Sequence, residues 1–271
     1  MSPPISEETL EHLYEKYNRR EFVHPDPLEF LYNYDDPLDR EVVGLIASSL
    51  AYGRVSQILN SISIVLEKMT PSPSRFIEES SMESLLHTFY GFKHRFTTGD
   101  EITAMLFGIK NVITRHGSLH TCFKTGFINN GKSILPAITE FVGELSGGFN
   151  CRSNSLLPCP SKGSACKRIN LFLRWMVRRD DVDPGGWDDV PTSRLIVPLD
   201  THMHSICLTL GLTKRKQADM KTALEITDSF RAVVPDDPVR YDFALTRLGI
   251  RKDTDITSFF ERMQHKNNHS A

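Results

Sequence analysis

Apolar residues recur every three or four positions in segment after segment of this chain, and that spacing restricts it to folds made of packed α-helices. Leu10, Leu13, Tyr14 and Tyr17 keep the period behind Ser6, a residue suited to cap a helix N-terminus. Asp36-Pro37 supplies a cap and a first-turn proline ahead of Val42, Val43, Leu45, Ile46 and Leu50. Tyr52-Gly53 reads as a turn into a further helix carrying Val55, Ile58, Leu59, Ile62, Leu66 and Met69. Asp100 opens another with Ile102, Met105, Leu106, Ile109, Val112 and Ile113, which Gly117 can end in a left-handed conformation. The period continues from Ile134 to Leu145, closed by Gly147-Gly148, and again from Lys167 to Trp175. Further helices are expected from Thr201 to a stop at Gly211, from about Ala218 to Arg231, and from Asp237-Pro238 to Gly249. No strand alternation and no internal repeat is visible, so the fold class read here is all-α, with two helical lobes sharing a cleft. Two irregular stretches, roughly 147–165 and 180–199, are longer than ordinary connections and read as functional or disordered loops.

Composition narrows the setting. At 271 residues with 39% hydrophobic and 24% charged content, the chain can bury a sizeable core. No apolar run approaches the ~20 residues that span a bilayer, and the start Met-Ser-Pro-Pro-Ile-Ser-Glu-Glu lacks the features of a signal peptide. A cytoplasmic protein with no membrane partner is the expectation. A net charge of −2 gives no global argument for nucleic acid. Locally, Lys162, Lys167, Arg168, Arg174, Arg178 and Arg179 form a basic run, followed by the acidic run Asp180, Asp181, Asp183, Asp188 and Asp189. That order suits a phosphate-facing patch with its own screen, or simply a solvated helix face. Five cysteines, an odd number without an export signal, argue against a disulfide framework. Cys151, Cys159 and Cys166 are spaced too widely for a zinc knuckle, so no metal and no cofactor is expected.

The chemistry points to Lys167 and Asp200, each near the start of a helix. An amine and a carboxylate meeting across a cleft can open an N-glycosidic bond: the amine attacks carbon and holds the sugar as a Schiff base, and the carboxylate steadies the developing positive charge. A free lysine titrates near ~10.4, so a nucleophilic one needs desolvation or neighbouring cations such as Arg168 and a helix N-terminus. The competing reading makes Asp200 an N-cap for the helix from Thr201. Both roles fit together if one carboxylate oxygen caps and the other faces the cleft. Asp200-x-His202-x-His204 also hints at metal, but residues two apart on a helix diverge and could not share one ion.

Leu199-Asp200-Thr201-His202-Met203 resembles the aspartate motif of the helix-hairpin-helix DNA glycosylase superfamily. Lys167 with Phe172-Leu173-Arg174 is similar to the catalytic-lysine helix of archaeal-type 8-oxoguanine DNA glycosylases, and the 33-residue separation of Lys167 from Asp200 resembles that branch. As a whole the chain looks like an uncharacterised bacterial family placed in this superfamily. The resemblance implies a single glycosylase-like unit over 1–271, with one lobe at 40–165 and a catalytic lobe built from 1–39 plus 166–271. It implies a base-excision-repair DNA glycosylase with AP lyase activity, a monomer acting in the nucleoid on double-stranded DNA containing a damaged base, 8-oxoguanine first. Lys167 becomes the nucleophile and Asp200 the activating carboxylate. The Leu50–Gly53 turn falls where the superfamily carries its duplex-penetrating loop, which marks Tyr52, with Gln57 nearby, for substrate contact, although Tyr52 also reads as a packed aromatic at a helix junction. Asp242 resembles the late-helix aspartate that touches the base, while the aromatic one turn later is Thr246 here. Lys162, Gly163, Arg168 and Arg174 are the expected DNA-phosphate contacts, although the usual hairpin turn is replaced by Pro160–Ala165. Two other readings stay open: a glycosylase for another damaged base, and a DNA- or RNA-binding protein of this fold without turnover.

Overall fold

The computed structural model describes residues 5–147 and 155–250. Helix starts follow the short polar residues. Ser6, Asp36, Ser72, Ser81, Ser118, Asp200 and Asp219 each accept a hydrogen bond from a first-turn amide of the helix they precede. The helices so begun are α1 (Glu7–Tyr17), α2 (Pro37–Ser49), α4 (Pro73–Glu79), α5 (Met82–Thr88), α7 (Leu119–Asn129), α10 (Thr201–Thr209) and α11 (Met220–Arg231). Between them lie α3 (Val55–Glu67), α6 (Gly99–His116), α8 (Ile134–Leu145), α9 (Lys167–Val177) and α12 (Asp242–Ile250). Gly117 ends α6 at φ 83°, in the left-handed region where its missing Cβ avoids strain. Among the described residues the fold is all-α apart from one small hairpin, β1 (Lys93–His94) with β2 (Thr97–Thr98), paired antiparallel as Lys93↔Thr98 and His94↔Thr97. Among the described residues no helix is long and apolar enough to cross a membrane.

The core forms around α2, whose Val42 to Ala47 stretch is buried and which packs on α4, α7 and α9. Gly44 permits the α2–α9 approach: a Cβ there would stand 3.3 Å from both Met176 and Phe172. Phe172 in turn belongs to an aromatic cluster with Phe141 and Trp187. Trp187 anchors the irregular 180–199 stretch, and its Nε1 donates to the buried Glu41 at 2.9 Å. The same carboxylate accepts the Leu119 amide, so one glutamate ties α2, α7 and that stretch together. Trp175 is also fully buried.

Several elements differ from the sequence reading. α4, α5, α7 and the hairpin were not expected. α12 starts at Asp242 rather than behind Asp237-Pro238, because the Asp237 carboxylate pairs with Arg178 at 2.9 Å instead of capping a helix. The basic and acidic runs divide: Lys162, Arg179, Asp181, Asp188 and Asp189 are exposed, but the centre of the network is not a solvated face. Arg174 and Arg178 are 3% exposed and face inward, where they meet Asp180, Asp183, Asp237 and Asp242. The Tyr14 hydroxyl donates to Asp180 at 2.9 Å and brings α1 into this network. Part of the 147–165 stretch, with Cys151, lies outside the described residues.

Candidate active site

Asp200 is presented by the turn at which α10 begins. One carboxylate oxygen accepts the His202 and Met203 amides at 2.9 and 2.8 Å, which satisfies two donors that a helix start leaves free. The other oxygen lies 3.0 Å from the Lys167 ammonium. Capping and cleft-facing roles therefore coexist in one side chain. Burial pushes the Asp200 carboxyl up, but Lys167 and the Met203 amide outweigh it, and the group is held below the usual carboxylate range. Lys167 is the first residue of α9, and its Nζ also stands 3.5 Å from the Ala51 carbonyl at the α2–α3 turn. Cys166 just before it sits at φ 50°, ψ 38°, a left-handed conformation that costs a non-glycine residue roughly 1–3 kcal/mol. Its Sγ contacts the Pro158 carbonyl at 3.4 Å, and burial pushes the thiol up to about 11, so it is a poor nucleophile at neutral pH.

Two cavities meet at this pair. Ala51, Ile58, Lys167 and Asp200 line both. The inner one holds about 300 Å³, the lower end of the range for small-ligand pockets. Apolar walls from Val55, Leu171, Met203 and Phe243 alternate there with three ion pairs: Lys167–Asp200, Arg174–Asp242 and Asp26–Arg247. The outer one, about 590 Å³, is bounded by Tyr52, Gly53, Phe96, Gly163, Arg168 and the start of α11 near Asp219. A ligand reaching from one cavity into the other must pass the ammonium and the carboxylate.

Residues 26–251 match the family described as Protein of unknown function (DUF2400). The chain belongs to that family. No curated protein and no solved structure matches it.

In this DUF2400 chain the other expected site residues fare unequally. Asp242 lines the inner cavity and is 5% exposed; burial pushes its carboxyl up to about 6, against the opposing pull of Arg174. Lys162 and Gly163 are exposed, and Gly163 borders the outer cavity. Arg174 corrects the sequence reading: held between Asp183 and Asp242, it cannot reach a surface phosphate and forms instead part of the inner cavity wall. Arg168 is also committed inward, donating to the Ser49 and Ser155 carbonyls. Gln57 is exposed in the first turn of α3 and lines neither cavity. Tyr52 borders the outer cavity, but its hydroxyl bonds the His94 carbonyl at 3.0 Å and Thr97 Oγ1 at 2.6 Å, which makes it a packed platform rather than a free wedge.

Sequence reasoning missed Asp26, Arg247, Phe243 and Phe96. His202, weighed only as a metal ligand, borders the inner cavity with a buried, unpartnered Nε2, as does Arg247 with Nε. His204 turns the other way and meets the Arg215 carbonyl at 2.8 Å. Among the described residues no cluster of three histidine, cysteine, aspartate or glutamate side chains is placed to hold a metal ion.

Proposed function

We propose that this protein is a DNA N-glycosylase with AP lyase activity, built on a two-lobed helix-hairpin-helix glycosylase-like arrangement, and that it removes an oxidised purine, 8-oxoguanine first. The observation that carries the reading is the 3.0 Å approach of Lys167 to Asp200 at the seam of two cavities. A glycosylase must take its base out of the stack and enclose it, and the inner cavity offers apolar walls with ion pairs for the base edges. Asp242 supplies an acceptor suited to the N1–H and N2–H₂ edge of a guanine. The outer cavity takes the sugar and backbone, with Lys162 and the amides around Gly163 beside the phosphates.

The steps follow from that placement. The Lys167 ammonium gives up a proton to solvent, and the neutral amine attacks C1′ beside the ionised Asp200, which steadies the developing positive charge as the bond to the base breaks and its electron pair leaves with the base. Opening of the sugar ring gives a protonated imine on Lys167. Loss of a C2′ proton then expels the 3′ phosphate by β-elimination. The test is borohydride trapping over a panel of lesion duplexes. Wild type is expected to give a covalent adduct and Lys167→Gln none. An unchanged adduct in the variant refutes the assignment of Lys167, and no adduct on any lesion or abasic duplex refutes amine chemistry.

A further inference from the structure

We propose that Phe96, at the apex of the β1–β2 hairpin, is the side chain that enters the duplex beside the everted nucleotide; this rests on the glycosylase reading and specifies how the substrate is held open. Phe96 is 62% exposed. It is not a loose side chain on a loose loop. Its ring stacks on Tyr52 at 5.0 Å and 26°. Tyr52 is pinned by its hydroxyl to both strands of the hairpin, and the buried His94 returns a contact from Nε2 to the Tyr52 carbonyl at 3.0 Å. His94 Nδ1 in turn meets Ser61 on α3 at 2.9 Å, so the apex is tied to the helix that begins beside the Lys167–Asp200 pair. Arg95 lies across Gly53, where a Cβ would come within 2.8 Å of its Cδ; the hairpin apex and the α2–α3 turn thus form one surface.

That surface borders the outer cavity through Tyr52 and Phe96, and the turn and hairpin that form it carry the exposed cations Arg54, Lys93 and Arg95. An apolar ring braced next to the cleft, on a turn and hairpin that carry exposed cations, matches the chemistry of a duplex opened at one base step: the ring replaces lost stacking and the cations meet phosphates. The duplex-penetrating element is therefore the hairpin, with Tyr52 as its support.

The experiment uses a duplex with a tetrahydrofuran abasic analogue, which forms no Schiff base, and 2-aminopurine as the neighbouring base. Wild type is expected to bind and to raise 2-aminopurine fluorescence as the neighbour unstacks. Phe96→Ala is expected to weaken that binding about tenfold or more, the usual scale for losing one base–aromatic stack, and to abolish the rise. Phe96→Trp restores both, and thermal melting confirms that each variant is folded. Equal binding and an undiminished rise in Phe96→Ala overturn the proposal. Borohydride trapping on lesion duplexes is run in parallel: trapping without a Phe96 effect refutes the hairpin's role alone, a Phe96 effect without trapping refutes the chemistry alone, and absence of duplex binding refutes both.

Discussion

Replacing Asp200 with asparagine separates the two roles that this side chain combines. Its cap survives, because the asparagine carbonyl oxygen can still accept the His202 and Met203 amides. The amide nitrogen then faces the Lys167 ammonium, and the ion pair is lost. That pair is only partly buried, the Asp200 side chain being 36% exposed, so its removal is worth no more than ~1 kcal/mol. For a chain of this size that corresponds to a fall in Tm of at most ~4 °C. Asp200→Ala removes the cap as well and is expected to cost about 1 kcal/mol more. Catalysis should respond on a different scale, because a developing sugar cation without its counter-charge loses about 10²- to 10³-fold. Single-turnover trapping with borohydride, alongside thermal melting of the same preparations, measures both. The reasoning fails if the asparagine variant forms adduct within threefold of the wild-type rate, or if its loss of activity merely follows its loss of folded protein.

Arg174→Met tests whether the buried network is structural: it strands Asp242 and removes one partner of Asp183, and should cost about 3–5 kcal/mol in urea unfolding, partly recovered by adding Asp242→Asn. A loss below ~1 kcal/mol would mean the network is dispensable. Asp242, with its carboxyl pushed up to about 6, is protonated below that pH and a charged acceptor above it, so activity on a guanine-derived lesion should rise with an apparent pKa near 6. Its stability contribution has the opposite sign: the folded state retains a proton that the unfolded chain releases nearer 3.8, so stability from this group is lost as pH rises through about 6. Asp242→Asn should flatten both profiles, and an unaltered acidic limb would exclude Asp242 as its source.

The starts of α1, α2 and α10, and Asp200 with the last of them, were legible because capping is local; the start of α9 at Lys167 carries no side-chain cap and was read from its apolar period. Ser6, Asp36 and Asp200 each act within three residues of themselves. The hairpin was not legible, since two-residue strands leave no alternation to detect, and Phe96 is unremarkable until Tyr52 is seen beneath it. α4 and α5, at seven residues each, are too short to establish a period. Arg174 was misread because a charged residue reveals burial only through its partners, and Asp242 lies 68 residues away. Within the acidic run, Asp180 and Asp183 are counter-charges that let two arginines go inside, a role that the run's spacing in sequence does not reveal.

That network also bears on how closely the amine and carboxylate can be held. α9 carries Lys167 at its half-exposed start, while its C-terminal half is fixed by Phe172 and Met176 against Gly44 and by Arg174 and Arg178 among their aspartates. α10, which begins with the Asp200 cap, has α12 as a packing partner, and α12 begins at Asp242. The Arg174–Asp242 pair is therefore a direct strut between the lysine's helix and the helix supporting the aspartate's helix. Buried charges alone are weak evidence for stability, but a strut of this kind resists sliding, because any shift along the helix axis leaves an uncompensated charge in the core. Apolar contacts would tolerate that shift more readily. Positioning by charge at the base of the inner cavity, with the Lys167–Asp200 pair left partly solvated at its rim, gives Lys167 a fixed origin and a short, adjustable reach toward Asp200.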